Sequence, residues 1–224
     1  MHGGKVNESA LQTIELHPAG APLATVVVLH GLGADGTDFL SLADEMDLDA
    51  VGPVRWVFPR APVRPVTVNG GYEMRAWYDI LGPDLVRRED EAGLRESMRL
   101  VRLLLDREVA RGIPAQRIVL AGFSQGCAIA LGGGLRHPER LAGLAGLSGN
   151  VPLAETTAAE RHAANAGTPV FLAHGRSDGV VPMARGAPDV TLQECVAEPA
   201  GHLPCVLPYW SYMLSQMALV VRDL

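Results

Sequence analysis
The apolar positions fall into short unbroken runs separated by helical patterns. ATVVVLHG (24–31) is a continuous β-branched stretch ending in glycine, as in a strand buried on both faces. VRWVFP (54–59), RIVLAG (117–122), LAGLAGLSG (141–149) and PVFLAHG (169–175) repeat the pattern. TIELH (13–17) alternates instead, like an edge strand. So does 190–197, where Val190, Leu192 and Val196 share a face interrupted by Glu194. Between the runs, 89–111 has helical spacing: Leu94, Met98, Val101, Leu105 and Val109 share a face, with Arg and Glu opposite. Gly112 and Pro114 supply its stop signal. Strand–helix alternation predicts an α/β fold, with a mostly parallel central sheet and helices on both faces. With no long-period repeat and no linker-like tract, residues 1–224 are expected to form one domain.

In such a sheet the chemistry gathers at the carboxyl ends of the strands. His30-Gly31-Leu32-Gly33, Gly122-Phe123-Ser124-Gln125-Gly126 and His174-Gly175-Arg176-Ser177-Asp178 follow three of the runs. The second is a G-x-S-x-G corner between strand and helix, the pattern of a nucleophile elbow. Its tight turn needs residues without side chains two before and two after the serine, and it leaves Ser124 at a helix N-terminus. An ordinary glycine turn holding a serine is the bland alternative.

A serine hydroxyl needs a base and an orienting acid to become a nucleophile. The chain order Ser124, Asp178, His202 is that of the elbow enzymes. Asp178 would orient and stabilise the imidazolium. His202 would take the Ser124 proton and return it to the leaving group. Asp178-Gly179 also reads as a plain turn, and His202 as a loop histidine. His174 precedes the acid and reads as a residue that shapes its loop. The backbone N–H groups of Gln125 and Leu32 are the candidate oxyanion donors.

Taken together, LHGLGADGTDF, FPRAPVRPVTVNGGYEMRAWYDI, AGFSQGCAIAL and HGRSDGVVP resemble the carboxylesterase, lysophospholipase and acyl-protein thioesterase family of α/β-hydrolases, from about residue 24 to 182. The resemblance implies an α/β-hydrolase fold and a cofactor-free, metal-free serine hydrolase. Its substrate would be a small-molecule or lipid ester. Small to medium acyl esters are the main reading. Alternatives are a lysophospholipase or acyl-protein thioesterase acting on longer chains, or a non-catalytic hydrolase-fold protein if the His202 region is misplaced. The resemblance carries Ser124, Asp178 and His202 over as the triad, with Leu32 and Gln125 as oxyanion donors. MRAWYDI (74–80) resembles the segment beside the acyl pocket. Trp77 then stands as a pocket wall, or as a core aromatic on a hairpin.

Two departures stand out. Cys127 occupies a position where the family commonly has glycine, and Gly132 to Gly134 fall inside the following helix. Only 24 positions separate Asp178 from His202, and an apolar, aromatic tail follows.

Composition narrows the setting. The chain is 48% hydrophobic and 20% charged, enough for a substantial core, and its net charge of −6 with no basic patch argues against nucleic acid. Three cysteines, Cys127, Cys195 and Cys205, without framework spacing suggest a reducing compartment, and no signal peptide is visible, so a cytoplasmic location is expected. VLPYWSYMLSQMALVV (206–221) is too short and too interrupted for a membrane span, and reads as a closing amphipathic helix without stable membrane insertion. Family members are often dimers, so a homodimer is a further implication of the resemblance.

Overall fold
The computed structural model describes residues 10–82, 88–175, 178–181 and 193–194. The apolar runs become strands: β1 (Thr13–Leu16), β2 (Ala24–Leu29), β3 (Val54–Pro59), β6 (Ile118–Phe123), β7 (Gly143–Leu147), β8 (Val170–Ala173) and β9 (Gln193–Glu194). They form one sheet in the order β1-β3-β2-β6-β7-β8-β9. Every neighbouring pair is parallel except β1–β3, which confirms the expected edge strand at the N-terminus. The strand expected over 141–149 is shorter, because Leu141 and Ala142 lead into it and Ser148 turns out of it with φ 48°. Of the strand expected over 190–197, Gln193–Glu194 lies within the described residues, parallel to β8.

Successive residues of a strand point to opposite faces, and β2, β3, β6 and β7 are buried on both. Val26, Val28, Trp56, Phe58, Val119 and Ala121 pack on one side, with Phe39, Leu42, Met46 and Leu48 around the short α1 (Leu42–Glu45). Val27, Leu29, Val57, Ile118 and Leu120 pack on the other side, against α2 (Glu91–Ala110) and α3 (Gln125–Leu135). A further helix, α4 (Ala154–Glu160), follows β7. The two-stranded hairpin β4 (Val63–Val66) and β5 (Tyr72–Arg75) stands outside the sheet. Its turn uses Gly70 and Gly71 at φ 69° and 79°, where a side chain would strain the backbone.

Helix α2 starts where Asp90 accepts the Gly93 N–H at 3.0 Å, and ends where Gly112 turns at φ 96° and Ile113 N–H reaches back to Glu108 O at 3.2 Å. Leu94, Met98, Val101 and Leu105 are buried as the spacing predicts. Glu108 departs from the expectation that Arg and Glu lie on the opposite face. It lies one turn beyond Leu105 on the apolar face and is 0% exposed. Its carboxylate accepts from Arg55 of β3 at 2.7 Å, Arg111 at 2.9 Å, Arg107 at 3.1 Å and the Thr25 hydroxyl of β2 at 3.4 Å. Arg107 and Arg111 also hold Glu15 of β1, at 2.8 and 2.9 Å. Removing one partner of such a buried pair strands the other. Glu108→Ala is therefore expected to destabilise the protein by about 3–5 kcal/mol, seen as a fall in Tm of roughly 10 °C in a thermal melt.

No helix of the described residues is long and apolar enough to cross a membrane.

Candidate functional site
The sheet order creates the setting. From central β2 the chain goes first to β3 on one side and later returns to β6 on the other. Loops leaving the carboxyl ends of β2 and β6 head to opposite faces of the sheet, and the ends of these two strands are where such folds form their ligand crevice. Leu29 and Gly122 are register partners, so the loop at residues 30–33 and the corner at Ser124 emerge side by side.

The corner has the geometry expected of an elbow. Ser124 sits at φ 54°, ψ −116°, between the last residue of β6 and the first of α3. A Cβ on Gly122 would collide with the Gly126 carbonyl and stand 2.7 Å from the Cys127 nitrogen. One on Gly126 would collide with Leu29 O and stand 2.6 Å from His30 O. Both glycines are thus required by close backbone approach rather than by their own dihedrals. The Ser124 N–H donates to Leu147 O at 2.8 Å, which ties the corner to β7. The Gln125 N–H is among the first amides of α3, which no carbonyl of that helix can reach.

The loop after β2 is held from several sides. His30, 0% exposed, has Nδ1 2.7 Å from Gly31 O, and its Nε2 accepts the Ala61 N–H at 3.0 Å. Burial lowers its pKa, outweighing the Gly31 carbonyl, which favours the charged form. A Cβ on Gly31 would lie 3.4 Å from Ser124 Cβ, so this loop runs against the corner. Gly33 N–H donates to Arg75 O at 2.9 Å. Asp35 pairs with Arg60 at 3.0 Å and Arg75 at 2.8 Å. Partial burial pushes its carboxyl up, but the Thr37 N–H and the two guanidiniums prevail and hold it below the usual range.

Trp77 resolves toward the core reading. It is 0% exposed, so it offers no surface to a ligand, and the pocket-wall expectation is corrected. Its indole N–H donates to His30 O at 2.8 Å, its backbone N–H donates to Gln125 Oε1 at 2.9 Å, and the Ser97 hydroxyl of α2 donates to its carbonyl. The Gln125 side chain also donates to Tyr78 O at 2.8 Å. The 76–78 segment therefore braces both loops of the crevice from behind.

At the carboxyl end of β8, Asp178 is 6% exposed. Its Oδ1 accepts the N–H groups of Val180 at 2.8 Å and Val181 at 2.9 Å, so the turn reading of Asp178-Gly179 holds for this oxygen. His174 Nε2 donates to Val181 O at 2.6 Å and lies 3.6 Å from Asp178 Oδ2. His174 shapes the acid's loop, as expected. His202 lies outside the described residues. The structure thus brings Leu32, Ser124 and Gln125 together at one crevice and places Asp178 two strands further along the same sheet end. Sequence reasoning gave no role to His30 or to the Asp35–Arg75 pair. For His30 and Asp35 the one signal was position, within and just after the strand-ending HGLG, whereas Arg75 comes from the distant β5 and gave none.

Cys127, buried on the first turn of α3, has its thiol pushed up to about 12 by burial. Gly132 and Gly134 account for the glycines inside the helix. A Cβ on Gly132 would collide with Met98 of α2, and one on Gly134 with Leu144 of β7, so these glycines let α3 pack closely on both. Among the described residues, no group of three His, Cys, Asp or Glu side chains could hold a metal ion.

A family model described as phospholipase/carboxylesterase matches residues 13–198. Acyl-protein thioesterase 1 of Schizosaccharomyces pombe is 41% identical over 172 residues, which cover 77% of this chain and 76% of that protein. Among solved structures, Arabidopsis thaliana SOBER1 superposes with a TM-score of 0.80 at 27% identity, covering 89% of this chain and 98% of its own. Zea mays acyl-protein thioesterase 2 gives a TM-score of 0.73 at 29% identity, covering 94% and 99%.

Proposed function
Since the chain belongs to the phospholipase/carboxylesterase family of α/β-hydrolases, we propose that this hydrolase cleaves acyl thioesters, with Ser124 as nucleophile and an acyl-serine intermediate. The observation that carries the reading is the backbone of Ser124, held at φ 54° by two glycines whose neighbours leave no room for a side chain. A strained serine at the mouth of a crevice is what nucleophilic attack requires. Its hydroxyl attacks the acyl carbon and passes its proton to His202, while Asp178 orients the imidazole. The Leu32 and Gln125 N–H groups hold the oxyanion. The leaving sulfur takes that proton from His202 and departs as thiol; the neutral imidazole then takes a proton from water, whose attack on the acyl-serine releases the acid, and returns the proton to Ser124. No cofactor or metal enters these steps.

The names of the curated relatives favour the thioesterase alternative over small to medium oxoesters. Chemistry distinguishes the two. A thiol has a pKa of about 8.5, so a leaving sulfur needs its proton less than an alkoxide does, and a thioester asks less of the general acid. We infer also a cytoplasmic setting with a protein- or lipid-borne substrate.

Matched thioesters and oxoesters, from acetyl to palmitoyl, test the proposal. The thioesters should show kcat/KM at least about tenfold higher, a barrier difference of about 1.4 kcal/mol, with the advantage persisting at long acyl chains. A fluorophosphonate should label Ser124. Preference for short oxoesters would restore the carboxylesterase reading. A protein that neither hydrolyses nor labels would be the non-catalytic member of the fold.

A further inference from the structure
The two ring nitrogens of His30 make different bonds, and the difference decides where the proton sits. Gly31 O can only accept, so the Nδ1 at 2.7 Å from it carries hydrogen and donates. Nε2 accepts the Ala61 N–H at 3.0 Å, so it is bare. The imidazole is therefore the neutral Nδ1–H tautomer, and its complete burial disfavours the charged form. A trans peptide unit directs its carbonyl and its N–H to opposite sides. No peptide bond of the described residues is cis. The Gly31 carbonyl belongs to the same unit as the Leu32 N–H. Drawing that carbonyl onto His30 thus turns the Leu32 N–H the other way. The unit before it is fixed similarly, since the Trp77 indole holds His30 O at 2.8 Å. The unit after it is fixed where Gly33 N–H meets Arg75 O at 2.9 Å.

We propose that His30 is a positioning residue for acyl transfer: its Nδ1–H holds the Gly31–Leu32 peptide so that the Leu32 N–H stays aimed at the oxyanion. The inference rests on the reading of Ser124 as nucleophile given above. It makes His30 a part of the reaction that never touches substrate.

Two substitutions separate the two ring bonds. The amide nitrogen of an asparagine reaches the place of Nδ1 and can donate to Gly31 O. A glutamine amide reaches the place of Nε2; it can accept from Ala61 but has no donor near Gly31 O. His30→Gln is expected to lower kcat by about 10²–10³-fold, the loss typical of an oxyanion donor, with KM within about threefold of wild type. His30→Asn should stay within about tenfold of wild-type kcat. A boronic acid that forms a tetrahedral adduct with Ser124 should lose affinity for His30→Gln by the same factor as kcat/KM. Thermal melts establish that each variant is folded. Equal losses in the two variants, or a folded His30→Gln with nearly wild-type kcat, would overturn the proposal. If only His30→Gln folds, its kcat and boronic-acid affinity decide alone. Failure of the underlying reading looks different: fluorophosphonate would then leave Ser124 unlabelled in the wild-type protein, whatever the His30 variants do.

Discussion

Ser124→Ala is expected to lower kcat by about 10⁵–10⁶-fold, equivalent to roughly 7–8 kcal/mol of barrier. The loss is large because the covalent route disappears altogether. What remains is water attack assisted by the oxyanion donors and by substrate binding. KM should move little, since the hydroxyl contributes to the bond being made rather than to docking. The same position makes a second, opposite demand. At φ 54° and ψ −116° any residue with a Cβ is strained, serine and alanine alike, by about 1–3 kcal/mol. Ser124→Gly should therefore be equally dead and yet more stable than Ser124→Ala, with a Tm higher by roughly 2–6 °C. Steady-state kinetics and thermal melts of the two variants check both halves. Residual turnover above about one per cent of wild type in Ser124→Ala would remove Ser124 from the mechanism.

Gly126→Ala is expected to cost about 3 kcal/mol or more and to reduce activity sharply. The added methyl would meet backbone, the carbonyls of Leu29 and His30, and backbone cannot swing aside as a side chain can. Either α3 lifts from β2, or the His30 loop moves away from Ser124. Both outcomes separate the Gln125 N–H from the Leu32 N–H. Gly133, seven residues further along the same helix, gives the opposite sign. A Cβ there would sit 3.6 Å from Met98 Cγ, an ordinary contact. Gly133→Ala should then gain about 1 kcal/mol from helix propensity alone. Urea unfolding of the two variants reads both values. A neutral Gly126→Ala would mean that the two loops do not run as closely as described.

The sheet was legible because a strand buried on both faces has no alternative but an unbroken apolar run, and β2, β3 and β6 all read that way. The elbow was legible because its glycines are required by sterics that leave a fixed spacing. Elements without such constraints were not. Helices α1 and α4 are single turns or little more, too short for a period to show. Glu108 was assigned to the solvent face by its charge, although its spacing from Val101 and Leu105 put it on the buried one. The arginine that makes its burial tolerable stands 53 positions away, beyond any local pattern. Trp77 had two readings at the sequence level because an aromatic beside a pocket and one behind it look the same in a string of letters. The expectations for His202 and the C-terminal tail lie outside the described residues.

The carboxylate of Glu108 has a consequence for how the molecule opens. It joins α2 to β2 and β3, and through the shared arginines to Glu15 on the outermost strand. A four-residue antiparallel edge would ordinarily fray on its own, and its amides would exchange with solvent long before those of the interior. Here β1 cannot detach without uncovering charges that three other elements depend on. This corner of the sheet is fastened into one cooperative unit, so β1 lets go only when the centre does.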